Sequence, residues 1–142
     1  LIVGARGLRL ETTLLGRPIV PGKAVGPALV AEKPLGFLGG VDAKTGIIIE
    51  RGHDLRGRII KDTVLCFPHG HGSTVGSFVL YALAKNGLAP KAIVNSAADP
   101  VVVVGAIIAN IPMVDGIDLT KIKTGDIVEV DGGKGLVKVF RR

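Results

Sequence analysis

Thr63-Val64-Leu65-Cys66-Phe67-Pro68-His69-Gly70-His71-Gly72-Ser73-Thr74-Val75-Gly76-Ser77 is the stretch that decides the fold class. Its first five residues are an unbroken apolar run, the pattern of a strand buried on both faces. Val75, Phe78, Val79 and Ala82 then recur at helical spacing, which predicts a helix from about Ser73 to Lys85 with Asn86-Gly87 as its stop. A small, glycine-rich, hydroxyl-bearing loop therefore joins a strand to a helix. Such a loop aims unpaired backbone N–H groups and the positive helix end at one point. An anionic group is the usual occupant of that point. Ser73 is placed there either to cap the helix, to hold the anion, or to do chemistry beside it.

Working outward, residues 8–15 and 24–31 read as strands, with Gly16-Arg17-Pro18 as a break and Pro21-Gly22 as a turn. Residues 36–46 have neither helical nor strand period, and Gly39-Gly40 signals positive φ or close backbone approach. Ile47-Ile48-Ile49 and Arg58-Ile59-Ile60 read as short strands flanking a charged connection. Residues 91–94 and 112–114 read as further strands. Asp99-Pro100 is an N-cap followed by proline at the first helical position and predicts a helix over residues 100–109, although residues 101–104 also suit a strand. Residues 127–130 and 136–139 alternate in polarity around Asp131-Gly132-Gly133-Lys134-Gly135, the signature of a β-hairpin. Strands dominate both ends, with an α/β segment between them.

Composition bounds the function. At 142 residues, 47% hydrophobic, the chain reads as one domain (1–142) with its own core. The net charge of +6 suits anionic partners or simply a soluble basic surface. Aromatics at 4% leave few candidates for base stacking, so no nucleic-acid partner is expected. The single cysteine, Cys66, excludes an internal disulfide and a cysteine-ligated cluster built from this chain alone. His53, His69 and His71 are too few and too irregular for a zinc site, so no metal ligand is assigned. Residues 101–113, interrupted by Gly105, Asn110 and Pro112, fall short of the roughly 20 apolar residues a bilayer span needs. Residues 1–6 are too short for a signal h-region and open without methionine, and a cytoplasmic location is the expectation.

The Ser73 loop fits neither common nucleophile motif. Gly72 directly precedes Ser73 and no glycine follows two residues on, so the hydrolase elbow G-x-S-x-G fails. No lysine follows Gly72 or Gly76, so the phosphate loop G-x-x-x-x-G-K-[ST] fails. A serine base needs positive surroundings; the helix start supplies some, and Arg51, Arg56 and Arg58 are candidates for more. His69 and His71 flank the loop as acid/base or phosphoryl-acceptor candidates, or as plain polar loop residues. Cys66 reads as a small core residue, and Asp42 as a turn or ligand-loop carboxylate.

Several stretches in order carry a resemblance: Pro21-Gly22-Lys23-Ala24-Val25-Gly26-Pro27-Ala28-Leu29-Val30, Phe37-Leu38-Gly39-Gly40-Val41-Asp42 with Thr45-Gly46, residues 67–77, Ala89-Pro90-Lys91-Ala92-Ile93, and residues 124–132. Over nearly the whole chain after Leu10 the sequence resembles the small subunit of the aconitase X type dehydratases, in their archaeal two-subunit branch. The resemblance implies an α/β fold, a swivelling β/β/α domain like the mobile C-terminal domain of aconitases. It implies a large partner subunit that carries a four-iron four-sulfur cluster and most of the pocket. The implied reaction is dehydration of (R)-5-phosphomevalonate, a phosphorylated carboxylate, to trans-anhydromevalonate 5-phosphate, with the metal as Lewis acid on the leaving hydroxyl. By motif, Ser73 is the implied base, with Gly70, His71, Gly72 and Thr74 around the substrate. The family often has Arg and Ser where this chain has His71 and Thr74. Three other readings are a phosphohistidine swivelling domain using His71, a non-catalytic scaffolding subunit, and a dehydratase of the same type acting on a hydroxyproline.

Overall fold

A computed structural model describes residues 7–142. The opening stretch of residues 1–6, read above as too short for a signal h-region, lies outside them. The strands, in chain order, are β1 (Arg9–Leu15), β2 (Arg17–Val20), β3 (Lys23–Val30), β4 (Val64–Phe67), β5 (Ala92–Asn95), β6 (Met113–Asp115), β7 (Ile127–Asp131) and β8 (Leu136–Arg141). The helices are α1 (Gly76–Lys85) and α2 (Pro100–Ala109). The strands hydrogen-bond in the order β1-β8-β7-β3-β4-β5-β6-β2.

Strand β3 makes this one sheet into two layers. Its first half, Lys23 to Pro27, pairs antiparallel with β7, and its second half, Ala28 to Val30, pairs parallel with β4. The handover falls beside Gly26-Pro27. Gly26 lets the chain pass close to Asp62, whose carbonyl oxygen would lie 3.0 Å from an added Cβ. The parallel strands β3, β4, β5 and β6 form the middle layer, crossed over by α1 and α2 on one face. The β1-β8-β7 ladder covers the other face. This is the expected β/β/α arrangement.

Two cores result. Leu29, Leu65, Phe67, Ile93 and Met113 pack toward the helices with Leu80, Leu83, Val102 and Ala106. Ala28, Val64, Cys66, Val94 and Val114 face the hairpin residues Val128, Val130, Val137 and Val139. Every residue of β4 and β5 is thus buried, which is why their sequences show no polar alternation. The hairpin alternates because its outer face meets water. The helices meet at Gly105, where an added Cβ would lie 2.9 Å from Leu80 Cδ2 and 3.2 Å from Ser77 Cα. The Ser77 hydroxyl donates to Val101 O at 2.7 Å across the same contact. Asp99 caps α2 by accepting from Val101 N, and Asn110 ends it in the left-handed region at φ 56°.

Three expectations are corrected. Arg17-Pro18 is not a break but the start of edge strand β2, paired with β6. Pro18 is tolerated at the sheet edge, and Arg17 Nε donates to the buried Asp115 carboxylate at 2.9 Å. Residues 47–49 and 58–60 make only isolated bridges, Val41 with Ile48 and Ile47 with Ile59. Left-handed glycines at 46, 52 and 57 turn the chain before a ladder extends. Finally, α1 begins at Gly76 rather than Ser73, because the preceding residues form tight turns in which Gly76 N donates to Ser73 O and Ser77 N to Thr74 O.

Asp126 closes the hairpin end of the sheet. Its carboxylate accepts from Arg141 Nε at 2.9 Å and Nη2 at 2.8 Å, and from Lys123 N at 2.8 Å. The Arg141 hydrogen bonds outweigh burial and hold its carboxyl below the usual range. A depressed carboxylate contributes stability that is full above its unfolded value of about 3.9 and is lost as pH falls through the folded value. Asp126→Asn is therefore expected to lower the urea midpoint at pH 7 and to leave a smaller further drop below pH 4 than the parent shows. Urea titrations at stepped pH measure both.

Candidate active site

β4 ends at Phe67, and the chain leaves the carboxyl edge of the parallel layer through Pro68-His69-Gly70. Two contacts hold this exit. Gly70 bridges to Leu35, and Gly70 N donates to Asp99 Oδ1 at 3.0 Å. Asp99 thus caps α2 with one carboxylate oxygen and anchors the loop with the other. Gly70 is buried, and an added Cβ would lie 2.5 Å from both Asp99 Oδ1 and Val102 Cγ2. Its N–H is consumed, so its part is to seat the loop rather than to meet a ligand with that amide. The loop then rises into solvent, and His71, Gly72, Ser73, Thr74 and Val75 are all exposed. Gly72 stands at φ 90° with nothing within 4 Å of an added Cβ.

Ser73 sits on the turn just before α1. Its Oγ accepts the Val75 N–H at 3.1 Å. Among the described residues, the backbone N–H groups of Gly72, Ser73 and Thr74 have no protein partner. Their exposure at the start of a ten-residue helix gives the loop local positive potential. Ser73 does not cap α1, whose N-cap is Val75 without a side-chain cap bond; its contact closes the turn before the helix and leaves the hydroxyl proton uncommitted. His69, exposed, donates from Nδ1 to Gly70 O at 2.7 Å, which folds it back on its own loop.

The second glycine-rich loop, residues 36–46, lies against the first. Phe37 is buried and meets Phe67 edge-on at 6.0 Å between ring centroids, so the loop is rooted in the core. His71 Nε2 and Glu50 Oε2 are 2.9 Å apart, and Glu50 Oε1 accepts Gly36 N at 2.8 Å. Glu50 was not singled out in the sequence: it stands in a charged stretch, 21 residues from His71, with no motif around it. Asp42 is a turn carboxylate, its Oδ1 accepting Lys44 N at 2.9 Å. Arg51, Arg56 and Arg58 are exposed, and no contact among the described residues ties them to Ser73. Cys66 is fully buried, its Sγ directed to Val64 O at 3.6 Å, and burial pushes its thiol up to about 12, with Asp126 adding to the effect. Such a thiol does not ligate iron. Among the described residues no His, Cys, Asp and Glu side chains gather as a metal site.

Ser73 lines none of the described cavities. The nearest is an apolar cleft of about 360 Å³ between the helices, lined by Thr74, Val75, Ser77, Phe78, Val104 and Ile108 among others. Ser73 is thus an exposed hydroxyl with open amides beside it.

Residues 13–139 match the aconitase X swivel domain, and the chain belongs to that family. Among its relatives, the phosphomevalonate dehydratase small subunit of Thermococcus sibiricus is 58% identical over 126 residues, covering 89% of this chain and 97% of its own. That of Methanosarcina acetivorans is 50% identical over 131 residues, covering 90% and 91%. The crystal structure of Thermococcus kodakaraensis aconitase X in its holo-form superposes with a TM-score of 0.91 at 53% identity, over 92% of this chain and all of that one. No helix among the described residues is long and apolar enough to cross a membrane.

The two loop glycines are expected to fail differently. Gly70→Ala drives a methyl group into Asp99 and Val102 and should cost about 1–3 kcal/mol. Gly72→Ala meets open space and should cost only the strain of a left-handed residue, about 1–2 kcal/mol, without loosening α2. Urea midpoints of the two variants, with hydrogen exchange at Val101 and Val103 as the readout of α2, test the contrast.

Proposed function

We propose that this chain, as one swivelling domain, is the small subunit of a hydro-lyase that removes water from (R)-5-phosphomevalonate to give trans-anhydromevalonate 5-phosphate. The Ser73 turn supports this reading: a serine outside the helix, its oxygen already holding one amide, with the unpaired amides of residues 72–74 beside it. The relatives' names supply the substrate and favour it over a hydroxyproline. The rest of the site belongs to a large subunit. A four-iron four-sulfur cluster does not fit this chain's residues, whose one thiol is sealed in the core, so in the complex the cluster is the large subunit's.

On this chain's side, Ser73 Oγ, as an alkoxide, takes a proton from the carbon beside the substrate carboxylate and becomes the neutral hydroxyl. The C–H electron pair becomes the new C=C bond as the hydroxyl departs from the adjacent carbon. The Val75 N–H and the helix start stabilise negative charge on Oγ before the transfer. His71, Gly72 and Thr74 border the substrate, with Gly70 beneath them as the seat of the loop. The basic surface of the chain favours approach of a substrate that carries both a carboxylate and a phosphate.

Ser73→Ala in the reconstituted two-subunit complex is expected to lower kcat by about 10²–10⁴-fold, the usual contribution of a positioned base, with subunit association unchanged. The isolated chain is expected to turn over no substrate. Near-normal kcat in Ser73→Ala rules out the base assignment; turnover by the isolated chain rules out the shared site.

A further inference from the structure

Glu50 is held on both of its oxygens. Oε1 accepts Gly36 N at 2.8 Å and Oε2 lies 2.9 Å from His71 Nε2. Glycine makes the room for this. An added Cβ on Gly40 would lie 2.9 Å from Glu50 Oε1, and one on Gly36 would lie 3.0 Å from His71 O and 3.1 Å from ring atom Cε1. The His71 ring is therefore laid against the bare Cα of Gly36 while Glu50 grips one end of it. The His71 side chain remains 47% exposed and that of Glu50 only 23%.

A carboxylate only accepts, so the proton between them sits on Nε2. The ring's other polar atom, Nδ1, lies on the edge beside Gly36, 3.4 Å from where an added Cβ would stand, and has no hydrogen-bond partner among the described residues. It stands two residues from Ser73 on the same exposed loop. A ring fixed at one nitrogen and open at the other is arranged to contact something beyond the chain.

We propose that Glu50 is a positioning residue: it holds the His71 ring by Nε2–H so that, with His71 as an imidazolium, Nδ1–H donates to an anionic oxygen of the substrate, carboxylate or phosphate, beside Ser73. This rests on the reading of residues 70–74 as the substrate loop. Glu50 touches no substrate and acts through the ring. In the same contact it ties the 36–50 segment to the Ser73 loop, so that both glycine-rich loops form one rigid lip.

The test uses the reconstituted two-subunit enzyme with 5-phosphomevalonate. Glu50→Ala is expected to raise KM about tenfold, the loss of one charge-assisted hydrogen bond, with kcat within about threefold. Glu50→Gln has the same shape and keeps the Gly36 bond, but it faces His71 with a donor and should raise KM likewise while folding as the parent does. The Glu50→Ala/His71→Ala double variant should be no worse than His71→Ala alone, since a residue acting through another is not additive with it. His71→Arg, whose guanidinium also bonds a carboxylate, should retain KM better than His71→Ala. Mevalonate as inhibitor separates the two anions: a weakened Ki in Glu50→Ala places Nδ1 on the carboxylate, an unchanged Ki on the phosphate. A parental KM in Glu50→Gln, or additive losses in the double variant, overturns the proposal. If Ser73→Ala is inert while the Glu50 variants match the parent, only this proposal fails; an active Ser73→Ala defeats the reading beneath it.

Discussion

Burial of β4 on both faces constrains everything that follows it. Val64 and Cys66 are sealed against the hairpin layer, Leu65 and Phe67 against the helices. A strand so enclosed cannot drift or fray, and its end at Phe67 is a fixed point. The chain must then clear the sheet edge at once, and only a residue without a side chain passes between Asp99 and Val102. Gly70 does so, and its N–H is captured by the carboxylate that also caps α2. The position of the Ser73 loop is therefore set by the core and by a second helix, not by the loop's own sequence.

The elements legible in the sequence are those whose signal is local. The unbroken apolar run of β4, the Asp99-Pro100 start of α2 and the alternation of the hairpin each carry their own physical reason. Residues 101–104 also suited a strand, and the cap decided for helix: Asp99 Oδ2 takes the first helical amide, as a bare valine run has nothing to do. What was not legible depends on partners far away in sequence. Arg17-Pro18 became a strand because β6 offered a free edge and Asp115 a buried counter-charge 98 residues on. Glu50 has no signal of its own, because its role exists only once Gly36 and His71 are brought to it. The helix start moved from Ser73 to Gly76 for a third reason: periodicity reports which residues share a face, and tight turns share that face for one turn before α-type hydrogen bonds begin.

Charge is distributed unevenly in a way that suits a shared site. Residues 72–84 and 100–114 contain no Asp, Glu, Lys or Arg. Phe78 and Ile107 are more than half exposed on the two helices beside the Ser73 turn. Lysines and arginines gather instead on the strands, the connection at residues 51–61 and the carboxyl end. Both glycine-rich loops and the open amides of residues 72–74 are at one edge. This edge thus presents directional donors rather than a cloud of mobile cations. Directional donors fixed before the substrate arrives need no reorganisation when charge moves in the reaction.

The three-residue shift of the helix start bears on the chemistry. With the start at Gly76, the Ser73 hydroxyl accepts from Val75 N across a short turn, and the amides of Ser73 and Thr74 stay open beside it. The turn contact leaves the Ser73 hydroxyl proton free, as the base role we propose requires. The amide that satisfies a neutral hydroxyl oxygen holds an alkoxide more strongly, because the acceptor has gained a full charge. The structural reading of Ser73 and the catalytic one share a contact, and what separates them is the exposure of the hydroxyl on a loop with no wall of its own.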